Sequence, residues 1–278
     1  MQRRNFLKLG SAAAAGTLLP RVACAQAVTL AQIKTAGELR IGCEATFVPF
    51  TYHEGANIVG YDVDLASLFC KPLGVKANFI DTAWSGVIPS LLAKKFDIIM
   101  TSITITKERL ERVNFTTPYA DAAQVILIRA GDEGAIKGVT DLNGRILGIK
   151  LGSPGQILAP KIEASLKSAG GAGFKEVRVF DDHPSAYIAL SEKRVDAVLN
   201  VISSLLVVLR DAPGKYALVK GDLGASWSGI AVRKEDREIE SYLNDQLARF
   251  RADGSIYELQ MKWFGFRMPL PDKVPSFS

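Results

Sequence analysis

Histidine and cysteine are scarce in this 278-residue chain: His53 and His183 are its two histidines, and Cys24, Cys43 and Cys70 its three cysteines. That scarcity removes whole classes of chemistry. No cluster has the ligand spacing of a zinc site, and two cysteines beyond residue 27 make no disulfide framework. Cys43 falls in a strand pattern and Cys70 in a helix pattern, so both are expected to be buried, small apolar groups. No cofactor and no metal is expected. Long apolar runs are lacking as well: Leu9 to Leu19 is 11 residues long, and a membrane span takes about 20. Short-period repeats and low-complexity stretches are also missing.

The first 27 residues read as an export signal. Met1-Gln2-Arg3-Arg4-Asn5-Phe6-Leu7-Lys8 is basic, Ala12 to Leu19 is small and apolar, and Ala23-Cys24-Ala25-Gln26-Ala27 supplies small residues for cleavage. Paired arginines before Phe6-Leu7-Lys8 have the look of a twin-arginine address. Cleavage near residues 25–27 and a periplasmic location are therefore expected. Two other readings stay open, an uncleaved anchor and a lipid on Cys24, the latter opposed by Arg21. The segment holds four basic residues and no acid. Without it 30 basic residues face 29 acidic ones, so the formal charge falls from +5 to +1. Nothing in that balance calls for nucleic acid or anionic lipid.

Strand and helix patterns alternate along the remainder. Leu39–Cys43, Val75–Ile80 and Phe96–Thr101 read as strands, with helices over 62–73 and 84–95 between them. Residues 145–150, 176–180 and 195–199 repeat the pattern with helices over 155–169 and 184–194. Such alternation predicts an α/β fold with mainly parallel sheets. Two joints interrupt it, Thr117–Asp121 before the strand 124–129, and Gly221–Gly224 before the strand 229–233. Helices over 235–251 and 255–264 close the chain, and the aperiodic tail from Pro269 is expected to be loosely held.

Several segments together resemble the periplasmic amino-acid-binding proteins of ABC importers, solute-binding protein family 3. They are Leu39-Arg40-Ile41-Gly42, Phe47-Val48-Pro49-Phe50, Gly60-Tyr61-Asp62-Val63-Asp64-Leu65, Trp84-Ser85-Gly86-Val87-Ile88-Pro89, the run Thr101 to Thr106 with Arg109, and Phe115-Thr116-Thr117-Pro118-Tyr119. The resemblance implies two α/β lobes joined by two crossover strands with a ligand cleft between them. Lobe 1 would hold residues 28–121 and 225–266, lobe 2 residues 122–224, and 267–278 would form a tail. It also implies an amino-acid-like ligand, a membrane permease as partner, and a monomer.

The same resemblance places Arg109 on the ligand carboxylate, where a guanidinium fork makes two parallel charge-assisted bonds. Residue by residue, Thr106 reads as the cap of the short helix that carries it. Thr101, Ser102 and Thr104 follow a buried strand, at the end where open α/β sheets bind ligands. Phe47 and Trp84 match positions that stack on the ligand, while Phe50 belongs to the core. Asp62 and Asp64 read as helix N-terminal acids. Gly152 and Ser153 open a helix whose free amides suit an anion; Ser153, Pro154 and Gln156 also read as a capping box.

One end of the site departs from the family pattern. Val201 stands where an aspartate usually meets the ligand's α-ammonium, with Asn200 before it, and Pro154 replaces a threonine. Glu44 matches an acid that meets basic side chains in some members. Either Glu44, Asn200 or Asp182 substitutes for the missing acid, or the ligand has no ordinary α-amino group. The competing function is an exported enzyme on the same scaffold, resembling cyclohexadienyl dehydratase, though no paired acid–base constellation is evident. A receptor partner of a membrane sensor, acting in trans, is a third reading.

Overall fold

The computed structural model describes residues 27–219, 221 and 223–276; the export-signal reading falls almost wholly outside them. Helix α1 (Leu30–Ala36) is opened by a reciprocal Thr29–Gln32 capping box. There follow β1 (Glu38–Cys43), the short strands β2 (Thr46–Phe47), β3 (Thr51–Glu54) and β4 (Asn57–Val59), and α2 (Tyr61–Cys70). Next come β5 (Lys76–Asp81), α3 (Val87–Leu92), β6 (Ile98–Ile99), α4 (Lys107–Leu110) and β7 (Asn114–Phe115). After β8 (Ala120–Asp121) the chain forms β9 (Gln124–Arg129), β10 (Ile146–Lys150), α5 (Pro154–Ser168), β11 (Glu176–Phe180) and α6 (His183–Ser191). It continues through β12 (Ala197–Val201), α7 (Ile202–Asp211), β13 (Tyr216–Val219) and β14 (Trp227–Ser228) to β15 (Ala231–Val232), α8 (Arg237–Ala252) and α9 (Ser255–Phe264).

Two five-stranded sheets result. The first runs β5-β1-β6-β15-β7 and the second β11-β10-β12-β9-β13. In each, a parallel trio carries the helices, β1 between β5 and β6 in one and β10 between β11 and β12 in the other. The remaining strands pair antiparallel. Between the sheets, β8 and β14 form a two-stranded antiparallel ladder, Trp227 opposite Asp121 and Ser228 opposite Ala120. The chain thus crosses twice, side by side, as a two-lobed α/β protein does.

Each lobe has its own core. In the first, Leu39, Ile41, Leu65, Phe69 and Ile98 cluster with Leu243, Leu247 and Phe250 of α8; in the second, Leu147, Ile149 and Leu199 cluster with Ile162 of α5. Each fully buried aliphatic side chain of this kind contributes about 1.5–3 kcal/mol. Cys43 and Cys70 are free and buried, and Phe50 is fully buried, as expected. Arg233 was not anticipated: wholly buried, it donates to the carbonyls of Leu91 and Phe96 and pairs with Asp236 at 2.6 Å.

The sequence pattern needs correction in four places. The helix over 84–95 is a 3-10 turn, Trp84–Gly86, followed by α3 alone, because Pro89 has no N–H to donate to the preceding turn and Lys94 is left-handed at φ 59°. The joint near Gly221–Gly224 precedes the crossing ladder, which is made by Trp227 and Ser228. The small sheet β2-β3-β4, helix α7 and strand β13 lie outside the elements expected from the sequence. The tail has no regular structure, yet it is held to lobe 1: Met268 is buried with its N–H on Gln260 Oε1 at 2.8 Å, and Val274 packs on the core.

The candidate ligand cleft

Four strands of the two parallel trios end at the same place. Glu44 follows β1, Thr101 and Ser102 follow β6, Lys150 ends β10 and Val201 ends β12. Carboxyl ends of parallel strands are where such sheets present their ligands. Here the two sets face each other. They enclose a cavity of about 30 Å³ lined by Glu44, Phe47, Trp84, Thr101, Ser102 and Thr104 from lobe 1, and by Lys150, Ser153, Pro154, His183, Asn200 and Val201 from lobe 2. That volume holds about one water, so a solute has to part the lobes.

Arg109 lies beside the cavity on α4. Thr106 caps that helix as expected, its hydroxyl accepting from the Arg109 N–H at 3.3 Å. The guanidinium donates to the Thr104 carbonyl (2.7 Å) and, across the cleft, to the Gly152 carbonyl (3.0 Å). Its carbon stands 5.0 Å from the Trp84 ring centroid, within cation–π range. Burial pulls its pKa down to about 10, so it stays charged at neutral pH. Among the described residues no carboxylate forms a salt bridge with it. Its hydrogen bonds go to neutral carbonyls, and the charge of neighbouring Glu108 acts on it without a salt bridge.

The hydroxyls of lobe 1 are tied to one another. Thr51 donates to the Glu44 carbonyl and shares a hydrogen bond with Thr101, both at 2.9 Å, while the Glu44 N–H donates to Thr101 Oγ1 at 3.2 Å. Ser102, left-handed at φ 48°, shares a 2.9 Å bond with Ser228 on the crossing strand β14. Its N–H donates to Asp62 Oδ2 (3.0 Å) and to the Tyr119 hydroxyl (2.8 Å). Asp62, read from sequence as a simple helix N-terminal acid, therefore sits at 0% exposure holding the cleft loop in place. Burial raises its pKa to about 7, against the pull of Tyr119 and the Ser102 amide.

Lobe 2 differs. Ser153 does stand at the N-cap of α5, with Pro154 first in the helix, but the expected capping box does not form. Gln156 instead accepts from the Gly152 N–H at 2.6 Å, and the buried Ser153 hydroxyl has no partner among the described residues. Both polar groups of Gly152 are thus engaged within the protein, its amide by Gln156 and its carbonyl by Arg109, so it offers no free amide to an anion. It is glycine for steric reasons: φ is +68°, and a Cβ would lie 2.9 Å from Trp84 Nε1. Asn200 accepts from the Val201 N–H (2.7 Å) and donates to the Tyr187 hydroxyl. Asp182 caps α6 through Ser185 N (2.7 Å) and lies outside the inner cavity, in a wider mouth it shares with Asp81 and Asp181.

Two lining residues escaped the sequence reading. His183 stacks on Phe47 from across the cleft, ring centroids 5.5 Å apart. Burial, then the charge of Lys150, holds its pKa well below the ordinary value, and its Nδ1 has no partner. Lys150 forms a buried ion pair with Glu44 across the cleft. Burial pushes the ammonium down and the carboxyl up, while each partner opposes the other's shift. Nothing in the local pattern Ile149-Lys150-Leu151 marks this lysine as inward-facing, because it directly follows a buried residue at a strand end.

Two α/β lobes, crossed twice by the chain and facing each other over a lined cleft, define a two-lobed solute-binding protein. The sequence matches the family of bacterial extracellular solute-binding proteins, family 3, over residues 39–266, and the chain belongs to that family. It is 31% identical over 237 residues to the L-cystine-binding protein TcyJ of Escherichia coli (strain K12), covering 85% of this chain and 86% of that one. Among solved structures, an ancestral arginine-binding protein bound to arginine superposes with a TM-score of 0.74 at 35% identity, over 82% of this chain and 99% of the other. An ancestral amino acid-binding protein described as a precursor of cyclohexadienyl dehydratase superposes with a TM-score of 0.75 at 31% identity, over 84% and 98%.

Proposed function

We propose that this chain captures a small, amino-acid-like carboxylate between its lobes and delivers it to the membrane permease of an ABC importer. It works as a monomer in the periplasm once the first 25–27 residues are removed. Residues 28–121 with 225–266 form one moving body, residues 122–224 the other, and 267–278 a tail. The carrying observation is Arg109, a buried guanidinium beside the cavity that bonds to neutral acceptors and has no salt-bridge partner among the described residues. Leaving such a charge without a counterion is costly, and a ligand carboxylate supplies one. Because the guanidinium already reaches Gly152 of lobe 2, an anion bound there joins both lobes and favours closure. Ser153 and Asn200 from lobe 2, with Thr104, Ser102, Thr101, Phe47, Trp84 and Glu44 from lobe 1, complete the wall around the solute.

The solute leaves unchanged in this reading. Glu44 is the cavity's carboxyl group, and its bond to Lys150 keeps it from a free acid's role. Thermal-shift screening of the purified chain against amino acids, opines and organic acids tests the proposal. A solute at 100 times its dissociation constant adds about 2.7 kcal/mol, and Arg109→Ala should remove the shift. A wild-type chain that responds to none of them, and no differently from Arg109→Ala, overturns the reading. Turnover of prephenate or arogenate would replace it with an enzymatic one.

A further inference from the structure

The cleft contains a box built for a cation, and the chain fills that box itself. Lys150 Nζ lies 4.8 Å from the Trp84 ring centroid and 5.9 Å from that of Phe47, and it is bonded to the Glu44 carboxylate. Two aromatic faces and a carboxylate are the elements that recognise an ammonium or guanidinium taken out of water. Asp81 and Asp182 reinforce the preference: their charges act on Glu44, and that of Asp182 on Lys150. Both of these acids have structural duties, Asp81 on the Ala45 amide and on His53 and Asp182 as a helix cap. The pair itself is deeply buried, the Lys150 and Glu44 side chains being 5% and 9% exposed.

We infer that Lys150 is the specificity-determining residue of the cleft, an internal cation that occupies the box formed by Glu44, Phe47 and Trp84 and so turns away solutes with a cationic side chain. The inference rests on the solute-binding reading and narrows it to a class: carboxylates that are neutral or anionic at the end opposite the carboxylate held by Arg109. A cationic side chain would have to evict Lys150 and leave two buried cations competing for Glu44. A neutral or anionic end leaves the Lys150–Glu44 pair intact, or draws on the lysine's remaining N–H donors.

Lys150→Met removes the internal cation while keeping an unbranched side chain that fits a buried strand end; Lys150→Gln is the second variant, should the first fold poorly. Calorimetry on the wild-type chain and both variants uses L-arginine and 5-guanidinopentanoate, which has the same side chain without an α-ammonium. The expected result is a gain of at least tenfold in affinity for 5-guanidinopentanoate in a folded variant, with a smaller gain for arginine. Wild-type affinity equal to or better than that of the variants overturns the inference and leaves the receptor reading standing. A folded variant that binds neither probe, while the wild type binds other carboxylates, overturns it too. Silence of all three proteins toward both probes and the whole carboxylate screen overturns both.

Discussion

The lobe 1 hydroxyls at the cleft, Thr51, Thr101 and Ser102, are bonded within that lobe, although Arg109 and Glu44 reach across, whereas lobe 2 brings groups that lack partners or find them across the gap. Within lobe 1 Thr51 and Thr101 bond to each other and to the Glu44 backbone, and Ser102 bonds to Asp62 and Ser228, with Asp62 Oδ1 left without a partner among the described residues. On the other side Ser153 Oγ and His183 Nδ1 are buried without partners, Lys150 reaches over to Glu44, and Ser204 donates to the Val48 carbonyl of lobe 1 at 2.6 Å. A wall whose hydroxyls are bonded within itself keeps its shape when the lobes part. A wall with open valences is the one that gains from closing. On the proposed reading lobe 1 is the template, and lobe 2 selects among the solutes that the template admits.

The strongest test of this division falls on the template. Arg109→Ala should weaken binding of any carboxylate solute by 100-fold or more, about 3 kcal/mol, while the unliganded chain keeps its circular dichroism spectrum. Arg109→Lys should recover little, since an ammonium cannot span Thr104, Gly152 and a carboxylate as a planar fork does. Wild-type affinity in the alanine variant, by calorimetry, would remove the template from lobe 1.

On the lobe 2 side, Val201 is buried against the cavity, at the position where the family resemblance implies an acid for an α-ammonium. Asn200 spends its carbonyl oxygen on the Val201 amide, and Asp182 caps α6. Glu44 is engaged by Lys150. Each of the three candidates for the missing charge is therefore already committed. A des-amino or N-substituted carboxylate should bind the wild-type chain better than its α-amino counterpart by roughly 30-fold to 1,000-fold, on the order of 2–4 kcal/mol. Val201→Asp should reverse the order. Submicromolar affinity of the wild type for any of the twenty standard amino acids would show that lobe 2 supplies the charge after all.

Stability against pH tests the lobe 1 loop that Asp62 holds in place. With Asp62 titrating at about 7 in the folded protein and near 4 when unfolded, the folded state binds the extra proton between those values. Stability should therefore fall as pH rises through that window, by up to about 1.4 kcal/mol per unit from this group. Asp62→Asn keeps an acceptor for the Ser102 amide and should flatten that part of the profile in denaturant titrations from pH 5 to pH 8. An unchanged slope would mean that Asp62 does not titrate there.

The contrast between lobes also explains what was legible beforehand. The lobe 1 site residues sit in segments whose order and spacing carry the family resemblance, and the structure brings Glu44, Phe47, Trp84, Thr101, Ser102 and Thr104 around one cavity, with Arg109 beside it. Helix and strand periodicity placed β1, β5, β10, β11, α5 and α9 within a residue or two. Lys150 and His183 were out of reach because their roles depend on which side chain meets them from the opposite lobe, and no local pattern encodes that. The capping box failed for a related reason: spacing shows that Gln156 can reach back, but not whether it meets the amide of Ser153 or of Gly152. Short irregular strands such as β2 to β4 are set by tertiary contacts more than by a period of two.

The smallest effect is the sharpest discriminator between a tied hydroxyl and an open one. Thr51 is fully buried and bridges Glu44 and Thr101; Thr51→Val keeps the shape but breaks both bonds, leaving the Glu44 carbonyl and Thr101 less well satisfied. That should cost about 1–2 kcal/mol of stability without solute, with solute affinity lowered only as far as Glu44 shifts. Ser153 is also buried, yet its Oγ has no partner among the described residues. Ser153→Ala removes an unsatisfied buried oxygen, so stability without solute should stay within about 0.5 kcal/mol of wild type or rise slightly. Solute affinity should nevertheless drop about 3-fold to 10-fold, the worth of one hydrogen bond gained on closure. Paired denaturation and calorimetry on the two variants read both quantities. If Ser153→Ala destabilises the free chain as much as Thr51→Val does, its hydroxyl has an internal partner and lobe 2 is no more open than lobe 1; if affinity is untouched, the solute does not reach the start of α5.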